Sequence, residues 1–445
     1  MASTEKRKDD QEPLDTDELR EAWPALSEDE QLEGFLRLPR EDAEDLFTSL
    51  GPHEQGQLLG AIPSGQRRIW MRALAPDDAA DLLQELEDPL RDDLLMLLDE
   101  PTRREVRALM AYAEDDAGGL MSPRFARVRP DMLVDEAIRY LQKQARGRLE
   151  AIYYAYVLDS EQRLLGVCSF RELFAAAPDR LVRDVMQSEP VTVREEMDQE
   201  AVAHLMKRHG FLALPVVGAD GQMKGIVTLD DIVDVVDEEA TEDVQKFGGM
   251  EALEAPYMHT SFGAMIRKRA GWLAILFVGE MFTATAMAQY EHDIAKAVVL
   301  AVFVPLIISS GGNSGSQAST LIIRAMALGE VKLRDWWRIV QRELAAGLTL
   351  GVVLAVVGAT RIVIWESVFH TYGAHYRLLA ITIALSLVGV VTVGTFCGSM
   401  LPLLLKRLGL DPASASAPFV ATLVDVSGLL IYFTVAKLVM GGTLL

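Results

Sequence analysis

Five long apolar stretches dominate the C-terminal part of the chain, at about 271–290, 297–326, 344–364, 378–405 and 418–440. Each is long enough to cross ~30 Å of hydrocarbon as a helix. Upstream of them the apolar positions come only in short amphipathic runs. Prolines fall at 39, 52, 63, 76, 89 and 101, most of them just after a Leu or Ile and just before acids, as in "LPREDAEDLF" and "LAPDDAADLLQEL". Proline at the first helical position with acids in the first turn is a helix start. The rhythm predicts a stack of short helices, an α-solenoid, over 31–115. Residues 1–30 are charged and are predicted to be a disordered acidic tail.

Between these regions lies a duplication. "MSPRFARVRPDM" at 121–132 answers "MQSEPVTVREEM" at 186–197, and "LLGVCSFREL" at 164–173 answers "MKGIVTLDDI" at 223–232. Each copy reads as strand, amphipathic helix, strand, turn, strand, helix. This resembles a tandem pair of CBS domains, with copies at 116–180 and 181–236. In such pairs a Thr and an Asp often contact a nucleotide, which makes Thr228 and Asp231 candidates for an adenosine nucleotide. The first copy has Ser169 and Glu172 in those places. A connecting helix and a Gly/Pro-interrupted linker follow at 237–265, rich in acids, and the membrane domain takes 266–445.

Charge divides the chain at the same place. Residues 1–262 hold 29 Lys+Arg against 56 Asp+Glu, and 263–445 hold 14 against 9. The acidic part excludes nucleic acid, which needs a basic face, and suits cation binding or solubility. Two cysteines, Cys168 and Cys397, form no disulfide framework and fit a reducing cytosol. The N-terminal stretch has no apolar core for a cleavable signal peptide. Lys and Arg cluster before span one, between spans two and three, and between spans four and five, which predicts a cytoplasmic N-terminus and an outward C-terminus in the inner membrane.

Three features interrupt the apolar spans. Span two, "VPLIISSGGNSGSQASTLIIRA", carries Pro305 and the pair Gly311–Gly312, expected to loosen the helix, and the amides of Asn313 and Gln317, which gain nothing from lipid. Close packing through small residues is the alternative. Span five carries Asp425, with Ala421, Gly428 and Tyr432 on its helical face. A carboxylate at bilayer depth costs roughly 2.5–3.5 kcal/mol even on lenient scales. Span one carries Glu280, isolated by sequence. One carboxylate per chain cannot dehydrate Mg²⁺, which keeps several waters. Two Asp425 side chains facing across a dimer axis would balance one hydrated Mg²⁺.

The whole layout resembles the MgtE family of magnesium channels and transporters. The resemblance rests on "GGNSGSQASTLIIRA" (311–325), "LGLDPASASAPFVATLVDVSGLLIYF" (408–433) and "DDIVDVVDEEATED" (230–243). It implies a multidomain α-helical membrane protein: cytosolic α-solenoid, α/β CBS pair, connecting helix and five-helix transmembrane domain. It also implies a homodimeric Mg²⁺ pore, not an enzyme, with no obligatory protein partner beyond the second copy and the bilayer. Asp425 matches the pore aspartate, Ala421 a carbonyl one turn earlier, and Asp411 an acid at the inner mouth; Asn313 joins them as a pore residue. Feedback inhibition by cytosolic Mg²⁺ is implied at Asp198, Glu200, Asp231, Asp234, Glu239, Glu242 and Asp243, with Asp78 in the N-domain. Gly210 stands where the family can carry a further acid. Co²⁺ or Ni²⁺ transport is the alternative, disfavoured because the pore stretches lack His and hold a lone Cys. An intramembrane enzyme and a nucleotide-sensing scaffold are the remaining readings. The first lacks a second acid in register with Asp425, and the second has no use for that residue.

Overall fold

The computed structural model describes residues 16–146, 149, 151–253, 257, 258 and 260–443. It divides into two compact units, Met1–Glu238 and Glu239–Leu445.

The first unit begins with eight short helices: α1 (Thr16–Ala22), α2 (Glu28–Arg37), α3 (Arg40–Ser49), α4 (Pro52–Ala61), α5 (Ser64–Met71), α6 (Pro76–Gln84), α7 (Asp88–Leu95) and α8 (Glu100–Leu109). The proline rhythm sets their starts. Proline occupies the first turn of α4, α6, α7 and α8 and the N-cap of α3 and α5. The predicted tail is corrected over 16–30, which holds α1 and the start of α2. Leu19 and Trp23, four residues apart on one helical face, are buried with Phe35, and Gln31 Nε2 donates to the Trp23 carbonyl at 2.8 Å. Two apolar anchors outweigh the surrounding charge. Residues 1–15 lie outside the described residues.

The first CBS copy is β1 (Phe125–Val128), α9 (Val134–Gln144), β2 (Ala151–Leu158), β3 (Leu164–Ser169) and α10 (Phe170–Ala175). The short β4 (Gln187–Ser188) extends its sheet in the order β1-β2-β3-β4. The second copy is β5 (Val193–Arg194), α11 (Gln199–His209), β6 (Ala213–Val217), β7 (Met223–Thr228) and α12 (Leu229–Phe247), with sheet order β5-β6-β7. In each copy the first two strands are parallel across a helical crossover and the next pair is antiparallel. The copies join where Ser122 and Ile226 exchange backbone hydrogen bonds of 2.8 and 2.9 Å. One apolar core runs from the solenoid into the second copy, through Leu83, Val106, Val202, Val216, Ile232 and Val235, while the first copy keeps its own core around Ala155, Val157 and Leu173. The solenoid thus docks on copy two, and this sets acids of α6 against the start of α12.

The second unit holds α13 (Phe262–Gln289), α14 (Glu291–Lys296), α15 (Val298–Ala301), α16 (Val304–Ala327), α17 (Trp336–Phe369), α18 (Tyr376–Arg407) and α19 (Ala417–Met440). It contains five stretches long and apolar enough to cross a membrane. α18 is central, packed on α16, α17 and α19, and α13 packs along α19. The expectation of a loosened span two is corrected. Pro305 sits in the first turn of α16, and the glycines lie in an unbroken helix. Their purpose is close approach. A Cβ on Gly394 of α18 would lie 2.4 Å from the Gly311 carbonyl oxygen, and one on Gly398 only 2.0 Å from that of Gly315. Small residues let these two backbones touch, as membrane helices do where apolar burial offers no drive.

Candidate cation sites

The polar residues of α16 divide between two duties. Some are structural. Ser314 pairs with Thr395 of α18 at 3.2 Å, Ser319 donates to the Ala415 carbonyl at 2.9 Å, and Ser316 donates to the Ala417 carbonyl at 3.3 Å. The first ties α16 to α18, and the other two hold the turn that leads into α19. Ser309, Asn313 and Gln317 form, with Pro305, a stripe at four-residue spacing, exposed on the single chain. Asn313 Nδ2 reaches only Ser309 Oγ, at 3.5 Å.

Helix α19 supplies the neighbouring wall. A Cβ on Gly312 would lie 3.5 Å from Ala421 Cβ, so Ala421 borders the Asn313 stripe. Asp425 follows one turn later. Its carboxyl lies within hydrogen-bonding reach of Glu280 on α13, which corrects the view of Glu280 as isolated. Close packing of α13 on α19 brings the two acids together. A Cβ on Gly279 would fall 2.6 Å from Thr422 Cγ2, and Trp272 meets Phe419 edge-on at 6.4 Å. A glycine beside an acid in an otherwise apolar span was the only sequence signal for this approach.

The first unit gathers a second set of acids. Asp78 and Asp81 of α6 face Asp230, Asp231 and Asp234 at the start of α12, with Glu238, Glu114 and Asp115 beside them. Burial pushes the Asp81 carboxyl up to about 8, helped by Asp78, Asp231, Glu114 and Glu238. Burial likewise pushes Asp231 up to about 7, with Asp230 and Asp78 adding to it against a lowering hydrogen bond from Thr228. Asp78, Asp234 and Glu238 are raised by the same causes, loss of water first and neighbouring carboxylates second. Among the described residues no three His, Cys, Asp or Glu converge closely enough to hold a metal ion. The cluster is a field of mutually repelling oxygens, chemically suited to a hard, hydrated cation. On the sequence Asp81 is one acid among several in "LAPDDAADLLQEL", with nothing to set it apart.

The other expected residues are placed elsewhere. Asp198 caps α11, accepting from the backbone N–H of Glu200 and Ala201 at 3.0 and 3.3 Å. Glu200 pairs with His204 at 3.6 Å on an exposed face. Gly210 closes α11 in the left-handed region at φ 66°, which an acid would adopt only with strain. Glu239, Glu242 and Asp243 lie on the last three turns of α12. Glu242 shares Lys246 with Asp411, and Asp411 Oδ1 also accepts from the Ala413 N–H at 2.8 Å. The nucleotide candidates bond each other: Thr228 Oγ1 donates to Asp231 Oδ2 at 2.6 Å, and its backbone N–H does so at 3.1 Å.

An apolar five-span bundle with a polar stripe and an acid on the faces of neighbouring helices, continuous with an acidic CBS-bearing unit, belongs to the class of CBS-bearing divalent cation transporters. A family described as a divalent cation transporter matches residues 304–435, the MgtE intracellular N domain matches 14–115, and CBS domains match 117–179 and 182–238. The chain is 40% identical over 432 residues to the magnesium transporter MgtE of Thermus thermophilus, covering 96% of this chain and 94% of that protein. It is 33% identical over 441 residues to the MgtE of Enterococcus faecalis, covering 95% and 94%. The chain belongs to the MgtE family of magnesium transporters and is a multi-pass membrane protein. Among solved structures it is similar to the cytosolic domain of the Mg²⁺ channel MgtE in complex with ATP, at 41% identity and a TM-score of 0.47, over 50% of this chain and 91% of that one.

Proposed function

We propose that two copies of this chain form a Mg²⁺ pore along a two-fold axis, taking magnesium into the cytoplasm across the inner membrane. The observation that carries the proposal is the Ser309–Asn313–Gln317 stripe beside Ala421 and Asp425. Amides and a carboxylate at membrane depth need water or a second copy opposite them. Asp425 holds the hydrated ion through its water shell, the Ala421 carbonyl and the Asn313 amide add oxygens, and Asp411 lies at the inner mouth. The Lys and Arg distribution supports a cytoplasmic first unit and an outward C-terminus. There, cytosolic Mg²⁺ acts as feedback inhibitor. It neutralises Asp78 against Asp231 and Asp234, with Asp198, Glu200, Glu239 and Asp243 as further ligands and Glu242 already held by Lys246, and so favours the closed state it binds better. Oxygen-only walls support Mg²⁺ over Co²⁺ or Ni²⁺. An adenosine nucleotide at the CBS pair would need Thr228 and Asp231 to release each other.

Mg²⁺ entry into liposomes tests this. Wild type should pass Mg²⁺, and millimolar Mg²⁺ on the side of the first unit should suppress entry. Asp425→Ala should fall to the level of empty liposomes. Entry of Co²⁺ or Ni²⁺ without Mg²⁺ would overturn the ion assignment.

A further inference from the structure

The last turn of α12 belongs to the second unit and meets the turn that leads into α19. Lys246 Nζ is bonded to Glu242 one turn earlier and to Asp411 Oδ2 at 2.7 Å. Asp411 is held from both sides, since its other oxygen caps the Pro412–Ser414 turn. Beside this pair Phe247 packs on Ile323, Ala413 and Ala415. Gly249, at φ 77°, ends the helix where a Cβ would already touch Pro418 Cγ at 3.3 Å. Gln245 Oε1 accepts from the Leu253 N–H at 2.7 Å, and the Glu251 N–H donates to the Lys268 carbonyl at 3.1 Å. The end of α12 is therefore seated on the second unit by an ion pair, an apolar contact and the path of the chain beyond it.

We propose that Lys246 is a built-in cation that closes the Glu242–Asp411 pair without a divalent ion, and so positions the end of the connecting helix in metal-free protein. Two carboxylates brought together repel unless a cation lies between them. An ammonium carried by the same chain is present at every Mg²⁺ concentration, and its charge-assisted bonds are stronger than neutral ones. Glu242 and Asp411 are thus satisfied before Mg²⁺ arrives, whereas among the described residues the charges acting on Asp81, Asp231 and Asp234 at the other end of the helix are other carboxylates. Mg²⁺ then acts on the start of α12, and the end serves as its fixed pivot. The consequence for gating rests on the pore reading above, but the seating of the helix end does not.

Hydrogen exchange followed by mass spectrometry on the full chain, over the peptide 240–253, tests this positioning role. Wild type should exchange slowly and equally in chelator and in millimolar Mg²⁺. Lys246→Gln should exchange roughly tenfold faster in chelator, the loss expected for one charge-assisted hydrogen bond, and Mg²⁺ should slow it again by entering the vacated acid pair. Lys246→Arg, which keeps the charge, should behave as wild type. A wild type that exchanges fast in chelator and slowly only with Mg²⁺ would overturn the proposal. So would Lys246→Gln indistinguishable from wild type. If these exchange patterns appear while no variant passes Mg²⁺ in liposomes, the lysine pivot stands and the pore reading falls.

Discussion

The two units treat their carboxylates in opposite ways. In the second unit most interior or helix-end acids are answered. Asp411 has Lys246, Asp293 has Lys437 at 2.9 Å, and Glu366 accepts the backbone N–H groups of Tyr372 and Gly373 at 2.6 and 3.1 Å. Asp425 is the exception, facing Glu280 rather than a cation. In the first unit acids such as Glu100 and Glu105 have arginine partners, but Asp78, Asp81, Asp231, Asp234 and Glu238 crowd together and are raised, by loss of water first and by neighbouring acids second. A fold that can pair an acid does so, since an uncompensated buried charge costs several kcal/mol. The acids left without a cation are the ones to which the proposed function assigns Mg²⁺.

Four measurements test that contrast. The largest effect is expected for Asp425→Ala, which should lose all protein-dependent Mg²⁺ flux. Asp411→Asn, an acid already answered by lysine, should keep measurable flux. Comparable loss in both would erase the distinction between paired and unpaired acids.

Next comes Gly398→Val. Its side chain would enter the space of the Gly315 carbonyl, and overpacking of this kind costs about 1–3 kcal/mol or more. We expect a lower melting temperature in detergent, while Gly210→Ala, with no heavy atom within 4 Å of the new Cβ and only backbone strain to bear, should lower it less.

The third measurement is pH. Asp81 rises from an ordinary 3.8 to about 8 and Asp231 to about 7, burial being the first cause of each. A carboxyl raised by folding favours the docked state while protonated. That contribution is full below about pH 4 and is lost as pH climbs through 7 and 8. In chelator, hydrogen exchange in α6 should therefore be slower at pH 5.5 than at pH 8, after correction for intrinsic rates, by roughly tenfold. Millimolar Mg²⁺ should remove most of the difference, and Asp81→Asn should shrink it without metal. A flat profile would show that water already relieves the crowding.

The smallest effect is expected for Glu200→Ala. Its partner His204 is exposed, and such pairs contribute about 0–1 kcal/mol. Melting should barely move, while the Mg²⁺ concentration for half-inhibition should rise if Glu200 is a ligand. No shift in either would remove it from the regulatory set.

Much of this protein is written locally. Five spans follow from apolar runs longer than a bilayer is thick, and the solenoid helices start where proline and acids coincide. The CBS duplication shows as repeated text, and Asp425 stands out because its cost in hydrocarbon demands a purpose. The seating of Leu19 and Trp23 was legible too, but the charge around them outweighed two apolar residues when the segment was read alone. The glycines of α16 show a different limit. Composition cannot tell a helix loosened by glycine from one thinned so that a neighbour can touch it; the space at Gly398 and Gly394, where a Cβ would fall 2.0 and 2.4 Å from carbonyl oxygens of α16, decides for the second. The pairs that matter most join residues far apart in the chain: Asp81 with Asp231, Glu280 with Asp425, Lys246 with Asp411. Each acid's charge is a property of the sequence. Whether that charge meets a lysine, another acid or nothing depends on which helices pack side by side, and only the tertiary structure decides that.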